Sequence, residues 1–262
     1  MRIALAVCLA AMLVLPGTAN AINNGTFDGH GHPAVGAMLV PVEVEPGVSQ
    51  LLPGCGGALI EPRVFLTASH CVRGPDGVVA DPAAIAVTFN PDGTSPVGRV
   101  AVDSILIHPL ADLSSYSHIN DVALIVLAEP QAGTPYQLPA AGALDEMDLK
   151  GVSFELVGYG STANPQGTGK PGVTFFDQRQ VATAPFQSLN QTFLKLLENT
   201  QQTGEGGACY SDSGSPVLLP GEQVVYAVTT GGNRLCRSTA QKQRLDLPVV
   251  RDWILEMLAT ID

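Results

Sequence analysis

Short runs of Val, Ile, Leu and Phe recur along the chain, at 34–40, 64–66, 85–89, 100–107, 122–127, 154–158 and 224–229. Turn formers separate them: Pro46-Gly47, Pro53-Gly54, Gly74-Pro75-Asp76-Gly77, Pro91-Asp92-Gly93 and Gly231-Gly232-Asn233. Many short strands broken by frequent turns predict an all-β barrel or sandwich. Two segments carry helical spacing instead. Residues 188–199 place Leu189, Phe193, Leu196 and Leu197 on one helical face. Residues 248–261 open on Pro248 and carry Val249, Trp253, Leu255, Met257 and Leu258, which predicts a C-terminal helix packed on the second half of the chain. Residues 129–149, rich in Pro, Ala and Gly, read as a connector between two halves.

The first apolar run needs a different reading. Arg2 precedes an apolar stretch at 3–15, and Ala19-Asn20-Ala21 has the small-x-small form of a signal-peptidase site. The stretch falls well short of the roughly 20 residues that span a bilayer. Residues 1–21 therefore read as a cleaved signal peptide, and the exported chain starts at Ile22. Composition agrees with a soluble, turn-rich product: 28 Gly, 20 Pro and only 14% charged residues. The net charge of −11 leaves no basic footprint for a nucleic acid. Cys8 lies in the apolar run as a filler. The other cysteines, Cys55, Cys71, Cys209 and Cys236, form an even set, which in an exported protein predicts two disulfides, with three connectivities open. None has CxxC spacing, so no zinc site is expected.

Three segments carry candidate chemistry: Leu66-Thr67-Ala68-Ser69-His70-Cys71, Asn120-Asp121-Val122-Ala123-Leu124-Ile125 and Cys209-Tyr210-Ser211-Asp212-Ser213-Gly214-Ser215-Pro216. Singly, His70 is an ordinary core histidine, Asp121 a turn residue and Ser213 a loop serine. Jointly they supply a base, an orienter and a nucleophile in the order His, Asp, Ser.

TASHC, NDVALI and DSGSP resemble the TAAHC, NDIAL and DSGGP segments of the trypsin-like, chymotrypsin-fold serine peptidases. Supporting likenesses are Cys55-Gly56-Gly57-Ala58-Leu59-Ile60, His108-Pro109, Val157-Gly158-Tyr159-Gly160 and Trp253-Ile254, so the resemblance runs over roughly 22–258. It implies two packed six-stranded antiparallel β-barrels with a C-terminal helix, the first over about 22–130 and the second over about 131–262. It implies a secreted, bacterial-type serine endopeptidase that acts as a monomer on proteins or peptides and needs no cofactor. Ser213 would attack, His70 would take its proton, and Asp121 would orient the imidazole. Backbone N–H groups of Ser211 and Ser213 would form the oxyanion hole. The resemblance pairs Cys55 with Cys71 and Cys209 with Cys236, each bond adding roughly 2–4 kcal/mol. It also makes the amine of Ile22, exposed by signal cleavage, the partner of Asp212. Asn23 and Asn24 depart from the family's usual Val-Gly there.

The nucleophile loop departs from the family pattern in two places. Ser211 and Ser215 stand where glycines are usual, and a spoiled oxyanion hole would leave a binding protein on a peptidase scaffold. An esterase-like hydrolase is a third reading. Around the substrate pocket, Gly207 and Ala208 offer no carboxylate for a basic side chain, so Arg/Lys specificity is not expected. Thr229-Thr230-Gly231 resembles the family's substrate-pairing Ser-Trp-Gly, and the family glycine of the opposite wall falls near Lys242 or Gln243. An inward Lys242 would favour an acidic substrate residue. A lysine on a loop is more often solvated, so the pocket reads as small and neutral. Asp28, His30 and His32 read as a solvated turn rather than a metal site. Asp76 and Asp81 lie in a loop where some relatives bind calcium, but no ligand pattern is visible. His108 and His118 read as structural.

Overall fold

The computed structural model describes residues 22–261 apart from 75–76, 115–118, 165–171 and 176, so Pro75, Asp76 and His118 lie outside the described residues. The first half contains β1 (Thr26–Phe27), β2 (Val35–Glu45), β3 (Val48–Glu61), β4 (Val64–Thr67), β5 (Ala86–Thr88), β6 (Arg99–Ile107) and β7 (Ala123–Leu127). The second contains β8 (Ser153–Gly158), β9 (Ser161–Asn164), β10 (Gly172–Phe175), β11 (Gln180–Leu189), β12 (Phe193–Leu197), β13 (Pro216–Leu218), β14 (Val225–Gly231) and β15 (Thr239–Arg244). Strands β2-β3-β4-β7-β6-β5 close into one antiparallel barrel. Strands β8-β11-β12-β15-β14-β13 close into a second, because β8 pairs with both β11 and β13. Closure leaves each barrel without a free sheet edge.

Each barrel has its own apolar filling. In the first, Val35, Leu59, Phe65, Leu66, Val87 and Leu124 are almost fully buried. In the second, Phe154, Leu156, Leu194, Leu196 and Val217 play the same part. Burying a side chain of this size contributes roughly 1.5–3 kcal/mol. The chain does not respect a simple division between halves: β1 pairs with β11, and Asn23 bridges Gly207, so the segment that begins the described chain belongs to the second barrel.

Arg179 joins the two barrels and the N-terminal segment. Its fully buried guanidinium donates to Asp28 Oδ2 (2.7 Å), Val35 O (2.8 Å), Gly29 O (2.9 Å) and Phe89 O (3.2 Å). His32 lies between Asp28 (2.5 Å) and Glu155 (2.7 Å). Burial works against a charge on His32, but these two carboxylates prevail and raise its pKa to about 9. The expected solvated turn at Asp28 and His32 is therefore a built ionic junction, and only His30 is exposed.

Two expectations about helices are corrected. Residues 188–199 form no helix. Asn190 Oδ1 accepts the N–H groups of Thr192 and Phe193 and turns the chain, and β12 then runs between β11 and β15. Five leucine and phenylalanine positions in twelve residues fit either period, and strand neighbours on both sides decide the matter. The C-terminal helix forms over Pro248–Leu258 as expected. It packs against the first barrel, not only the second: the His108 ring donates to Val249 O at 2.8 Å and lies edge-on to Trp253 with centroids 4.9 Å apart. His108 is structural, as read. Among the described residues, no helix is long and apolar enough to cross a membrane.

Candidate active site

The site is assembled where the barrels meet. Strand β4 is buried throughout and runs into a tight helical turn at Ser69–Cys71. Strand β7 pairs with β4 so that Thr67 faces Ala123, which brings His70 beside Asp121. The Cys55–Cys71 disulfide fixes the turn that carries His70. Cys71 Sγ also lies 3.6 Å from the carbonyl oxygen of Ser213, and Gly56 N–H donates to that same oxygen at 2.8 Å. The serine loop of the second barrel is thereby clamped to the histidine turn of the first. The second disulfide, Cys209–Cys236, holds the other side of the serine loop.

Asp121 is fully buried and surrounded by donors. Its Oδ2 faces His70 Nδ1 at 2.6 Å and also accepts from Thr230 Oγ1. Its Oδ1 accepts from Ser69 Oγ at 2.7 Å and from His70 N at 2.9 Å. Burial alone would push this carboxyl up, but the His70 ring and the hydroxyls outweigh it and hold the pKa below the ordinary value. His70 Nδ1 is thus the hydrogen-bearing nitrogen of the neutral ring. Of the two threonines, Thr230 reaches Asp121, while Thr229 carries the carbonyl that accepts from Gly214 N.

The loop around Ser213 is tightly specified. Gly214 has φ +79°, and a Cβ there would lie 2.2 Å from Thr67 Oγ1. Ser215 packs its buried hydroxyl against Gly56 and Gly158, where added Cβ atoms would sit 1.9 Å and 2.7 Å from its Oγ. Ser211 adopts φ +68° although it is not glycine. Among the described residues, the N–H groups of Ser211 and Ser213 take no intramolecular acceptor. The serine at 211 therefore keeps the backbone conformation that glycine would take freely, at a strain of about 1–2 kcal/mol. Ser211→Gly is expected to stabilise the protein by roughly 0.5–1 kcal/mol after glycine's added chain entropy is subtracted. Denaturant melts of the two proteins check this, and a less stable variant would contradict it.

Asp212 is buried behind this loop. Its oxygens accept from Gly160 N and Cys209 N, both at 2.8 Å. Among the described residues no cation forms an ion pair with it, and burial pushes its pKa up to about 7. Gly158 and Gly160 leave the space it occupies, since a Cβ on either would meet its carboxylate at 2.2 Å. Ile22 is buried in the second core, and Asn23 exchanges backbone hydrogen bonds with Gly207 at 2.9 Å and 3.0 Å.

A cavity of about 240 Å³ opens beside Ser213. Ala208, Thr229, Gly231, Gly232 and Ala240 form part of its wall. The residue facing Gly232 is Ala240, not Lys242 or Gln243: a Cβ on Gly232 would lie 3.5 Å from Ala240 Cβ. Lys242 corrects a further expectation. It lies on β15, not on a loop, and its side chain is wholly buried in an ion pair with Glu198 at 2.6 Å. Glu198 carries no mark in the sequence, because a carboxylate after an apolar strand reads as its solvated end. Cys55, His70 and Cys71 lie close enough to resemble a metal cluster, but both sulfurs are in the disulfide and offer no thiolate.

The sequence and the fold of this chain are similar to those of known proteins. A family profile described as Trypsin matches residues 32–254. Venom serine protease Bi-VSP of Bombus ignitus is 28% identical over 186 residues, which cover 66% of this chain and 50% of that protein. Glucanase inhibitor protein 3 of Phytophthora infestans is 35% identical over 190 residues, 68% of each chain. The chain thus spans about half the length of the first of these relatives. The relatives are eukaryotic, and the bacterial cast expected of the chain finds no support among them. Among solved structures, a protein titled HL collagenase superposes with TM-score 0.66 at 18% identity, covering 92% of this chain and 98% of that one. Human heparin binding protein gives the same TM-score and identity over 91% and 97%. With most of its length matched by one family, the chain belongs to the trypsin family of serine proteases.

Proposed function

We propose that the chain is an exported serine endopeptidase that works through His70, Asp121 and Ser213. The observation that carries this reading is the bond between Asp121 Oδ2 and His70 Nδ1, beside a serine whose loop offers two unpaired N–H groups. With Nδ1–H held by Asp121, His70 Nε2 is the basic nitrogen. It takes the Ser213 proton as Oγ attacks the carbonyl carbon, and Asp121 stabilises the imidazolium that forms. The new oxyanion takes the N–H groups of Ser211 and Ser213, each donor worth about 3 kcal/mol. The imidazolium then gives its proton to the leaving amine, and water repeats the sequence on the acyl-enzyme. In this reading residues 1–21 are the export signal, and cleavage after Ala21 frees the Ile22 amine to pair with Asp212.

A reading as a binding protein has support in the names of relatives called glucanase inhibitors. Intact mass before and after an organophosphonate serine probe separates the two. One added label, absent in Ser213→Ala, is the expected result. No label on a chain that begins at Ile22 would instead favour the binding protein. Turnover of esters with no cleavage in a peptide library would favour the esterase reading.

A further inference from the structure

The cavity beside Ser213 ends on a pair of opposite charges. Lys242 Nζ lies 2.6 Å from Glu198 Oε1, with the two side chains 0% and 2% exposed. Lys242 Nζ also donates to Thr229 Oγ1 at 3.3 Å, and the Ala208 N–H donates to Glu198. Gly207 leaves the room for this arrangement: a Cβ there would lie 2.5 Å from Glu198 Cβ. The stem of Glu198 thus fills the space that a larger residue at 207 would take, and its carboxylate turns to Lys242.

A lone buried charge is strongly penalised, whereas two opposite charges in contact cancel. A charged side chain entering the cavity must shed water. It then meets the attracting and the repelling group at similar range, and their effects offset. An uncharged side chain sheds less water and keeps the contacts with Ala208 and Ala240. The remaining charged lining residue, Arg234, is exposed at the mouth, where solvent and salt screen it.

We infer that the Glu198–Lys242 pair sets specificity by making the pocket accept an uncharged side chain on the acyl side of the scissile bond and reject both carboxylates and cations. The inference deepens the peptidase reading and rests on it for the word scissile. It differs from the two outcomes weighed for Lys242 alone, because the lysine is inward and yet offers no free charge. Each half of the pair suppresses the preference that the other would create.

Three probes of one shape and different charge test this: benzamide, benzamidinium and benzoate, titrated calorimetrically into the protein that begins at Ile22. Benzamide is expected to bind more tightly than either ion by about tenfold or more, a difference of about 1.4 kcal/mol. Glu198→Gln leaves Lys242 alone and turns the preference to benzoate. Lys242→Met leaves Glu198 alone and turns it to benzamidinium. A wild type that prefers either ion, that binds none of the three, or variants that keep the wild-type order would overturn the inference. If a variant fails to fold, the wild-type order decides by itself. Binding needs no turnover, so a protein that ranks the probes as expected but takes no phosphonate label keeps the pocket inference and loses the peptidase reading.

Discussion

Replacing Asp121 by asparagine is expected, on the proposed peptidase reading, to lower kcat/KM by about ten-thousandfold. The carboxylate accepts from four donors: the His70 ring, His70 N, Ser69 Oγ and Thr230 Oγ1. An amide has one acceptor oxygen, so its NH₂ group must face at least one of those donors. If it faces His70 Nδ1, the ring changes tautomer, Nε2 carries the hydrogen, and Ser213 has no base. If it faces Ser69 or the backbone, a buried donor is left unsatisfied at about 1–3 kcal/mol. The phosphonate labelling rate should fall with kcat/KM, because both need the activated hydroxyl. A loss of less than about tenfold would mean that Asp121 is not the orienting group. The pH dependence of stability supplies an independent reading. The folded pKa of Asp121 lies below its ordinary value of 3.8. Its stabilising share is therefore present above about 3.8 and is lost as pH falls through the lower folded value. The asparagine variant should lack that part of the acid unfolding.

What could be read from the sequence depended on the kind of information each element carries. The strands of the first barrel are legible because β4 and β7 are short, continuous runs between turns, apolar throughout except for Thr67 at the end of β4. Segment 193–197 is apolar apart from Lys195, yet its period is ambiguous, and the neighbours β11 and β15 settle it as a strand. At the site, three motifs in a fixed order single out His70, Asp121 and Ser213 as candidates, and the structure brings His70 against Asp121. The groups around them are not singled out in this way. Thr230 on Asp121, Arg179 between the barrels and Glu198 under Lys242 are contacts at sequence separations of 109, 151 and 44 residues, and none has a local pattern. Lys242 is the sharpest case. A prior based on residue type puts lysine in water, and a partner just past the end of β12 reverses it.

A chain that keeps Asn20-Ala21 ahead of Ile22 takes the phosphonate label on the order of a hundredfold more slowly than one that begins at Ile22. The reason lies in Asp212. Its carboxylate accepts from two backbone N–H groups, Lys242 and Glu198 act on it with opposite sign, and burial prevails and pushes its pKa up to about 7. In the extended chain the nitrogen of Ile22 is an uncharged amide and cannot compensate this acid. The folded state then holds a proton that the unfolded state releases near 3.8. Stability is full below that value and is lost as pH rises through about 7. On the proposed pairing, the Ile22 ammonium of the cut chain would supply the missing charge, draw the Asp212 pKa down and remove this loss. The two forms should therefore melt together near pH 4 and diverge as pH rises to about 7. They should converge again where the amine gives up its proton, above its ordinary value of about 8. Asp212 directly precedes Ser213 and directly follows Ser211, so the proposed charge pair would also fix the two N–H groups that the proposed mechanism uses as an oxyanion hole. Labelling rate and melting temperature should thus rise together on cutting, each most strongly near neutral pH. Equal labelling of both forms, with superimposable melts from pH 4 to 8, would show that Asp212 finds its compensation elsewhere and that Ile22 is buried only for its side chain.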